Sequence, residues 1–333
     1  MATIAYLSHS AYLCGGTRIL AEHAVRLAQR GHSIILSFVD ASYSWSWLPE
    51  HERLYVVPLD TLPNYEIDAV VISPILCLLS KEGRSVLSLT QKRFLLVQGN
   101  DRLMWPFHAR FSEEVYRDKS VRPIVISGWL RDMMRDEFGR DDVVYAPNKQ
   151  EIPALPLFNL KPVKDRPVVL VEGNANAPAK GVAEAWIAIQ DLPCDKWLLT
   201  NSPVLEVKQT GIPWDAVYCQ VPWLCACHVI RSADIMLKPS HAEGCPTPHM
   251  EAMALGTALV TTNCRGTEEY CIGGLNCKMV GVGDVVAMRA TVNSLLKDAR
   301  GTRYMAEKAK LFAARHFGWK GSIDAIENAI VGR

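Results

Sequence analysis

Residues 241–251 read HAEGCPTPHME and bring two imidazoles, two carboxylates and a thiol into one short stretch. Two chemistries compete for them. In one, His241 would ligate zinc and Glu243 would move protons to and from a metal-bound water, the H-x-E arrangement of zinc-dependent base deaminases. In the other, Glu243 and Glu251 work as a pair of carboxylates set on either side of a helix start. The zinc reading needs two thiolates from a Pro-Cys-x-x-Cys element. The cysteines after His241 are Cys245, Cys264, Cys271 and Cys277; none follows a proline and none forms Cys-x-x-Cys. The GCPTP that follows Glu243 also prevents a helix from starting there at once. His241 therefore loses its metal, and the carboxylate pair remains.

The residues around that pair predict a strand, a loop and a short helix. An apolar run ends at Lys238–Pro239–Ser240, and a loop then carries Glu243, Gly244, Cys245 and Pro246. Thr247 is expected as the N-cap and Pro248 as the first helical residue. The helix is expected over about 248–255, with Gly256 ending it and Glu251 in its first turn. Unpaired N–H groups and the positive dipole end at such a start suit a diphosphate. Carboxylates suit sugar hydroxyls, so the spacing matches the two ends of a nucleotide-sugar.

The run S-x-x-E-G-x-x-x-P-x-x-E-A-M-A-x-G is present as Ser240, Glu243, Gly244, Pro248, Glu251, Ala252, Met253, Ala254 and Gly256. It resembles the donor signature of glycosyltransferase family 4, the retaining GT-B enzymes of glycosyl transferases group 1. The resemblance continues through Gly266 with Glu268 and Glu269, through GLNCKMV, and to Gly283–Asp284. In the first half, Gly15–Gly16 resembles the family's glycine loop and Gly31–His32 its R-G-H turn. LLVQGND (95–101) and VISGWL (125–130) are similar to further family elements.

The resemblance implies roles. Glu243 would face the donor sugar near its reacting end, Glu251 would hold the ribose, and Lys180 in GNANAPAKG would bind the diphosphate. Glu243, Lys180 and Asp101 are the candidate catalytic residues. The donor-binding set is Gly15, Gly16, Gly173, Asn174, Lys180, Glu243, Gly244, Cys245, Pro246, Thr247 and Glu251. Gln98, Asn100, Tyr43, Trp45 and Trp47 are candidates for the acceptor. The chain departs from the family in three places: Asn174 stands where Arg is usual, EGCPTP replaces E-G-F-G-L-P, and the family's frequent His after a strand is not obvious. Arg265, Arg18 or the helix start are the candidates to compensate for Asn174. The implied activity is metal-independent, retaining sugar transfer from a nucleotide-diphosphate sugar, UDP- or GDP-linked, to a hydroxyl, with no cofactor. The alternatives are an isomerase resembling sugar-nucleotide 2-epimerases and a non-catalytic nucleotide-sugar binder.

The elements that must position these residues are legible as a βα rhythm. Apolar runs at 3–8, 33–38, 53–58, 68–73, 93–98, 122–127 and 142–147 alternate with helical periods, which predicts a parallel sheet covered on both faces. The proline-rich segment 151–167 breaks the pattern and is expected to be a linker. Strands follow at 168–173, 196–201, 216–221, 234–239 and 258–263, with a helix over 181–190 and closing helices near 285–297, 301–315 and 320–331. The expected fold is α/β, a GT-B pair of Rossmann-like domains with parallel sheets facing across a central cleft. Its parts are an acceptor domain at 1–155, a donor domain at 166–315 and a C-terminal helix at 316–333 packing back toward the first domain.

Composition agrees with this class. A chain of 333 residues with 49% hydrophobic and 21% charged residues supports about two ordinary globular domains. The net charge of +1 provides no global attraction to nucleic acid or anionic lipid. No apolar run reaches the ~18–20 residues of a membrane span, and no basic segment precedes the first apolar run as a secretory signal requires. A cytoplasmic location, or one peripheral to a membrane, is the expectation. The ten cysteines read as reduced thiols, and Cys225, Cys227 and His228 as a buried helical set rather than a metal site. The acceptor stays open among a glycan, a lipid-linked sugar, a metabolite and modified DNA, as does the oligomeric state.

Overall fold

The computed structural model describes residues 1–156, 160 and 166–332. Much of the expected linker, 157–159 and 161–165, lies outside the described residues, as does Arg333. The chain divides into two units, Met1–Asn148 with Trp319–Arg333, and Lys149–Gly318.

The first unit is built on seven parallel strands: β1 (Thr3–Ser10), β2 (Ser33–Asp40), β3 (Leu54–Val56), β4 (Ala69–Ser73), β5 (Arg93–Val97), β6 (Arg122–Val125) and β7 (Val144–Tyr145). Their order is β3-β2-β1-β4-β5-β6-β7. The central strands lack polar alternation because both sheet faces are covered, and β4 is buried at every residue. The run 142–147 yields only a two-residue strand, since Pro147 lacks the N–H that a longer ladder would need.

The last helix, Lys320–Val331, belongs to this unit. Arg30 pairs with Asp324 at 2.7 Å and Glu327 at 2.6 Å, and the Ser322 hydroxyl donates to the Pro147 carbonyl at 2.6 Å. Trp319 is buried edge-on against His23, with ring centres 5.5 Å apart. The boundaries therefore fall at 148/149 and 318/319, not at 155 and 316. Lys149 and Gln150 already bond to the carbonyls of His316 and Phe317 in the second unit.

The second unit holds six parallel strands: β8 (Val168–Glu172), β9 (Asp195–Thr200), β10 (Ala216–Cys219), β11 (Ile235–Lys238), β12 (Ala258–Thr262) and β13 (Lys278–Val280). The order is β10-β9-β8-β11-β12-β13. β13 was not expected. It is a three-residue edge strand with only Val280 buried, too short to carry a periodic signal. The core joins Val169, Val171, Leu237 and Val260 of the strands to Val182, Ile189, Met288 and Val292 of the helices. Each such side chain contributes about 1.5–3 kcal/mol by leaving water. Among the described residues no helix is long and apolar enough to cross a membrane.

Each sheet reverses its strand order once, between β1 and β4 and between β8 and β11. In open parallel sheets, ligands bind beyond the carboxyl ends of the strands at such a reversal.

Candidate active site

At the β8/β11 reversal four charged side chains interlock. Leu237 pairs in register with Val171, so the next residues, Lys238 and Glu172, reach the carboxyl ends of adjacent strands together. The Lys238 ammonium bonds to a Glu172 oxygen at 2.5 Å and lies 3.2 Å from Oε1 of Glu243. That same oxygen accepts from Lys180 Nζ at 2.8 Å and from the Ser240 hydroxyl at 2.7 Å. Two cations and two anions balance. Burial works against ionising Glu243, but Lys238 and Lys180 outweigh it and hold the carboxyl well below its ordinary range. Burial likewise opposes the charge on Lys238, and Glu172 with Glu243 outweighs it, keeping the ammonium above its usual range. The two lysines differ in access: the Lys238 side chain is 3% exposed and that of Lys180 is 32%. Lys180 is the cation that solvent, or a ligand, can reach.

Two glycines let backbone close around this network. Gly181 has φ +63°, and a Cβ there would lie 2.4 Å from the Pro239 carbonyl oxygen. Gly266 has φ +92°, and its Cβ would meet the carbonyl oxygens of Glu243 and Gly244, each at 2.6 Å. Gly173 gives room to Lys180, whose Cβ would be 3.1 Å from an added methyl. Asn174 offers no charge to replace the Arg usual in the resembled family; its Oδ1 accepts from the Asn176 N–H at 3.0 Å and closes a turn. Of the candidates to compensate, Arg18 is buried in the first unit beside Glu22, whereas Arg265 is exposed next to Gly266. The second cation at the site, and the buried one, is Lys238, which the sequence reading did not select.

The helix after this loop runs Thr247–Leu255 and ends at Gly256, whose φ is +77°. Its start differs from expectation. Pro246 occupies the N-cap position and has no side chain to cap with, which puts Thr247 first and Pro248 second. Glu251 consequently lies in the second turn, not the first. It is 5% exposed, and Oε1 accepts from the Trp223 indole N–H at 2.9 Å. Cys245, Pro246 and Thr247 are buried, so this part of the donor set shapes the site from behind. His249 is buried and neutral: burial, then Lys238, pulls its pKa down to about 3. Its ring joins the Tyr270 hydroxyl at 3.2 Å to the Thr261 hydroxyl at 3.0 Å, and Tyr270 donates to the Pro246 carbonyl at 2.5 Å. His241 lies against Glu184 at 2.9 Å. Among the described residues no group of three or more His, Cys, Asp or Glu could hold a metal ion. The ten cysteines are free, and Cys225 is exposed while Cys227 is buried.

In the first unit several expected ligands are engaged in holding the fold. Gly15 and Gly16 do not form a loop; they open the helix Gly15–Gln29 after the N-cap Cys14. The Gln98 amide donates to the Gly16 carbonyl and to the Ser73 hydroxyl, both at 3.0 Å. Asn100 caps the short helix Asp101–Met104 by accepting from the Arg102 N–H at 3.2 Å. Asp101, a candidate catalytic residue, is only 6% exposed and receives the Tyr116 hydroxyl at 2.5 Å. Burial pushes its carboxyl up to about 6, against the pull of that bond. The geometry makes it a tie between two helices rather than an accessible base. Trp47 donates its indole N–H to the Ala11 carbonyl at 2.8 Å, while Tyr43 and Trp45 stay exposed.

Lys238, Glu172 and Trp223 are the site residues that the sequence reading missed. A signal was present for the first two. VVLVEG and DIMLKP each end an apolar strand on a single charge of opposite sign, at matching positions beside the reversal. Trp223 opens the helix Trp223–Ser232 and carried no such mark.

The family model described as Glycosyl transferases group 1 matches residues 224–298, which include Lys238, Glu243 and Glu251. Glycogen synthase of Mycobacterium tuberculosis is 33% identical over 92 residues, which is 28% of this chain and 22% of that protein. The chain thus spans about a fifth of the length of the curated relatives it matches. Sucrose-phosphate synthase from Thermosynechococcus elongatus superposes with a TM-score of 0.79 at 16% identity, covering 100% of this chain and 99% of the other. HepE from Anabaena, solved in complex with UDP-glucose, superposes with a TM-score of 0.81 at 15% identity over 100% of both chains. The segment 224–298 is thus similar to the group 1 glycosyltransferases, and the chain has the GT-B fold.

Proposed function

We propose that this protein transfers a sugar from a nucleotide-diphosphate sugar to an acceptor hydroxyl, with retention of configuration and without a metal ion. The observation that carries the proposal is the interlocked Glu243, Lys180, Lys238 and Glu172, set on the loop that leads into the helix Thr247–Leu255. The UDP-glucose bound by HepE supports a UDP-sugar as the first donor to test.

In this reading the diphosphate draws Lys180 away from Glu243. Lys180 is half-buried and flexible, so exchanging a carboxylate for a phosphate leaves its charge compensated. Lys238 stays with Glu243 and keeps that carboxylate fixed toward the sugar. Glu251, held by Trp223, accepts ribose hydroxyls. The bond from the anomeric carbon to the phosphate oxygen breaks as the acceptor oxygen bonds to that carbon on the same face, and the leaving phosphate takes the acceptor proton. The chain's own part is positioning and neutralising charge on the leaving diphosphate, through Lys180 and the helix N-terminus.

Radiolabelled UDP- and GDP-sugars, offered with a panel of glycan, lipid-linked, metabolite and modified-DNA acceptors, test the reading. A labelled glycoside with the donor's anomeric configuration, formed equally in EDTA, is the expected product. An isomerised donor would identify an epimerase, and a donor that binds unchanged would identify a non-catalytic binder. Glu243→Ala and Lys180→Ala should nearly abolish transfer; wild-type turnover in Lys180→Ala would overturn the role assigned to that residue.

A further inference from the structure

A cavity of about 650 Å³ opens in the first unit; of its lining, only Trp45 was given a role above, as an acceptor candidate. The volume falls within the ~300–1,000 Å³ typical of small-molecule sites. Phe38, Val57 and Leu59 give it an apolar lining. Trp45 forms part of its wall, with its ring nearly parallel to that of Phe38 at 12° and 6.5 Å. Asp60 and Glu82 are its charged lining residues; no Lys, Arg or His lines it. Neither carboxylate has an ion pair among the described residues, and both side chains are on exposed residues.

The loop that carries Trp45 is braced without a ligand. Ser42 N–H donates to Asp40 Oδ1 at 2.9 Å, the hydroxyls of Ser44 and Ser46 bond at 3.1 Å, and Leu48 N–H donates to the Trp45 carbonyl at 2.9 Å. The bond from Trp47 to Ala11 ties the same loop to the end of β1. A wall held in place beforehand loses little entropy on binding.

These features select a ligand chemistry. An exposed indole beside an apolar floor takes the C–H face of a sugar ring. Two carboxylates without counter-ions repel a phosphate or a uronic acid. They attract an ammonium group, and the indole face adds to that attraction. We propose that this cavity binds an amino sugar, its ring against Trp45 and its ammonium toward Asp60 and Glu82. Neither a donor nor a transfer step enters this proposal, so it stands or falls separately from the reading of the second unit.

The probes are the chitosan tetramer and its fully N-acetylated counterpart, which share a backbone and differ in charge. They are titrated into the full chain at pH 6 by calorimetry and tryptophan fluorescence. The cationic tetramer should bind at least ~10-fold more tightly, with a preference that fades as salt rises. Asp60→Asn with Glu82→Gln should remove the preference while leaving the melting temperature unchanged, because both residues are exposed. Trp45→Ala should weaken both tetramers, and Trp45→Phe should weaken them less. Equal affinity for the two tetramers, binding of neither, or a preference that survives the double substitution would overturn the proposal.

Discussion

Replacing Lys238 with Met removes the ammonium that, among the described residues, touches both Glu172 and Glu243. The side chain is 3% exposed, so the methionine fills similar space without bringing in solvent. What remains is Glu243 paired with Lys180, and Glu172 without a cation among the described residues. Breaking a buried pair in this way costs about 3–5 kcal/mol, because the stranded charge stays desolvated. For a unit of this size roughly 2–4 °C are lost per kcal/mol, so the melting temperature should fall by about 6–20 °C. Adding Glu172→Gln neutralises the stranded anion and leaves Glu243 balanced by Lys180. The double variant should therefore be more stable than Lys238→Met alone, with a coupling of about 2 kcal/mol. Urea and thermal melts of the wild type, both single variants and the double variant complete the cycle. The network would not be what holds the Glu243 loop if Lys238→Met lost less than about 1 kcal/mol. Additive losses in the double variant would refute the same reasoning. The pH dependence supplies a further check. The Glu243 carboxyl is held below its ordinary range, so its contribution is present above the unfolded carboxylate pKa and fades as pH falls. The stability gap between wild type and Glu243→Gln should narrow on acidification.

Asp101 should behave in the opposite sense. Its folded pKa of about 6 lies above the unfolded value of 3.8, so the native state binds the proton more tightly. Stability is intact below the unfolded pKa and is lost as pH rises toward 6, by roughly 3 kcal/mol in all. Asp101→Asn should raise the urea midpoint at pH 7.5 and change it little at pH 4; an equal effect at both pH values would contradict the buried tie. Gly181→Ala and Gly211→Ala both place alanine at positive φ, but only the first meets a carbonyl, that of Pro239 at 2.4 Å. Both should lose about 1 kcal/mol to backbone strain, and Gly181→Ala more, together with donor affinity, as read by melts and nucleotide titration. Trp223→Phe keeps an aromatic ring, though a smaller one, and removes the N–H that Glu251 accepts. Loss of a charge-assisted bond worth about 1.5–3 kcal/mol should raise the donor KM about 10-fold or more with little change in kcat; an unchanged KM would separate Glu251 from donor binding.

The βα rhythm was legible because buried parallel strands read as continuous apolar runs, and most expected strands appear within a residue or two of their place. The helices Val285–Lys297 and Lys320–Val331 match their expected bounds, since apolar periodicity runs their whole length. β13 and the true extent of β7 were not legible, because two or three residues hold no period. At the site, Glu243 and Glu251 were selected by residue type and spacing and Lys180 by the resemblance of its K-G pair, all of which are local properties. Their partners were not, because contact between Glu172 and Lys238 depends on the register of two strands 66 residues apart.

The same division runs through the first unit. Asn100, Asp101 and Gln98 have the residue types of a binding site, and sequence reveals type. Whether a polar side chain faces a ligand or satisfies a neighbour depends on burial, and burial is a property of the packed fold. Packing gave Asp101 to Tyr116 and Gln98 to Gly16 and Ser73. The chain by itself determined the class of fold and the two acids that flank a helix start. Tertiary structure decided which charges meet, because side chains distant in sequence become neighbours only when the sheet brings strand ends together.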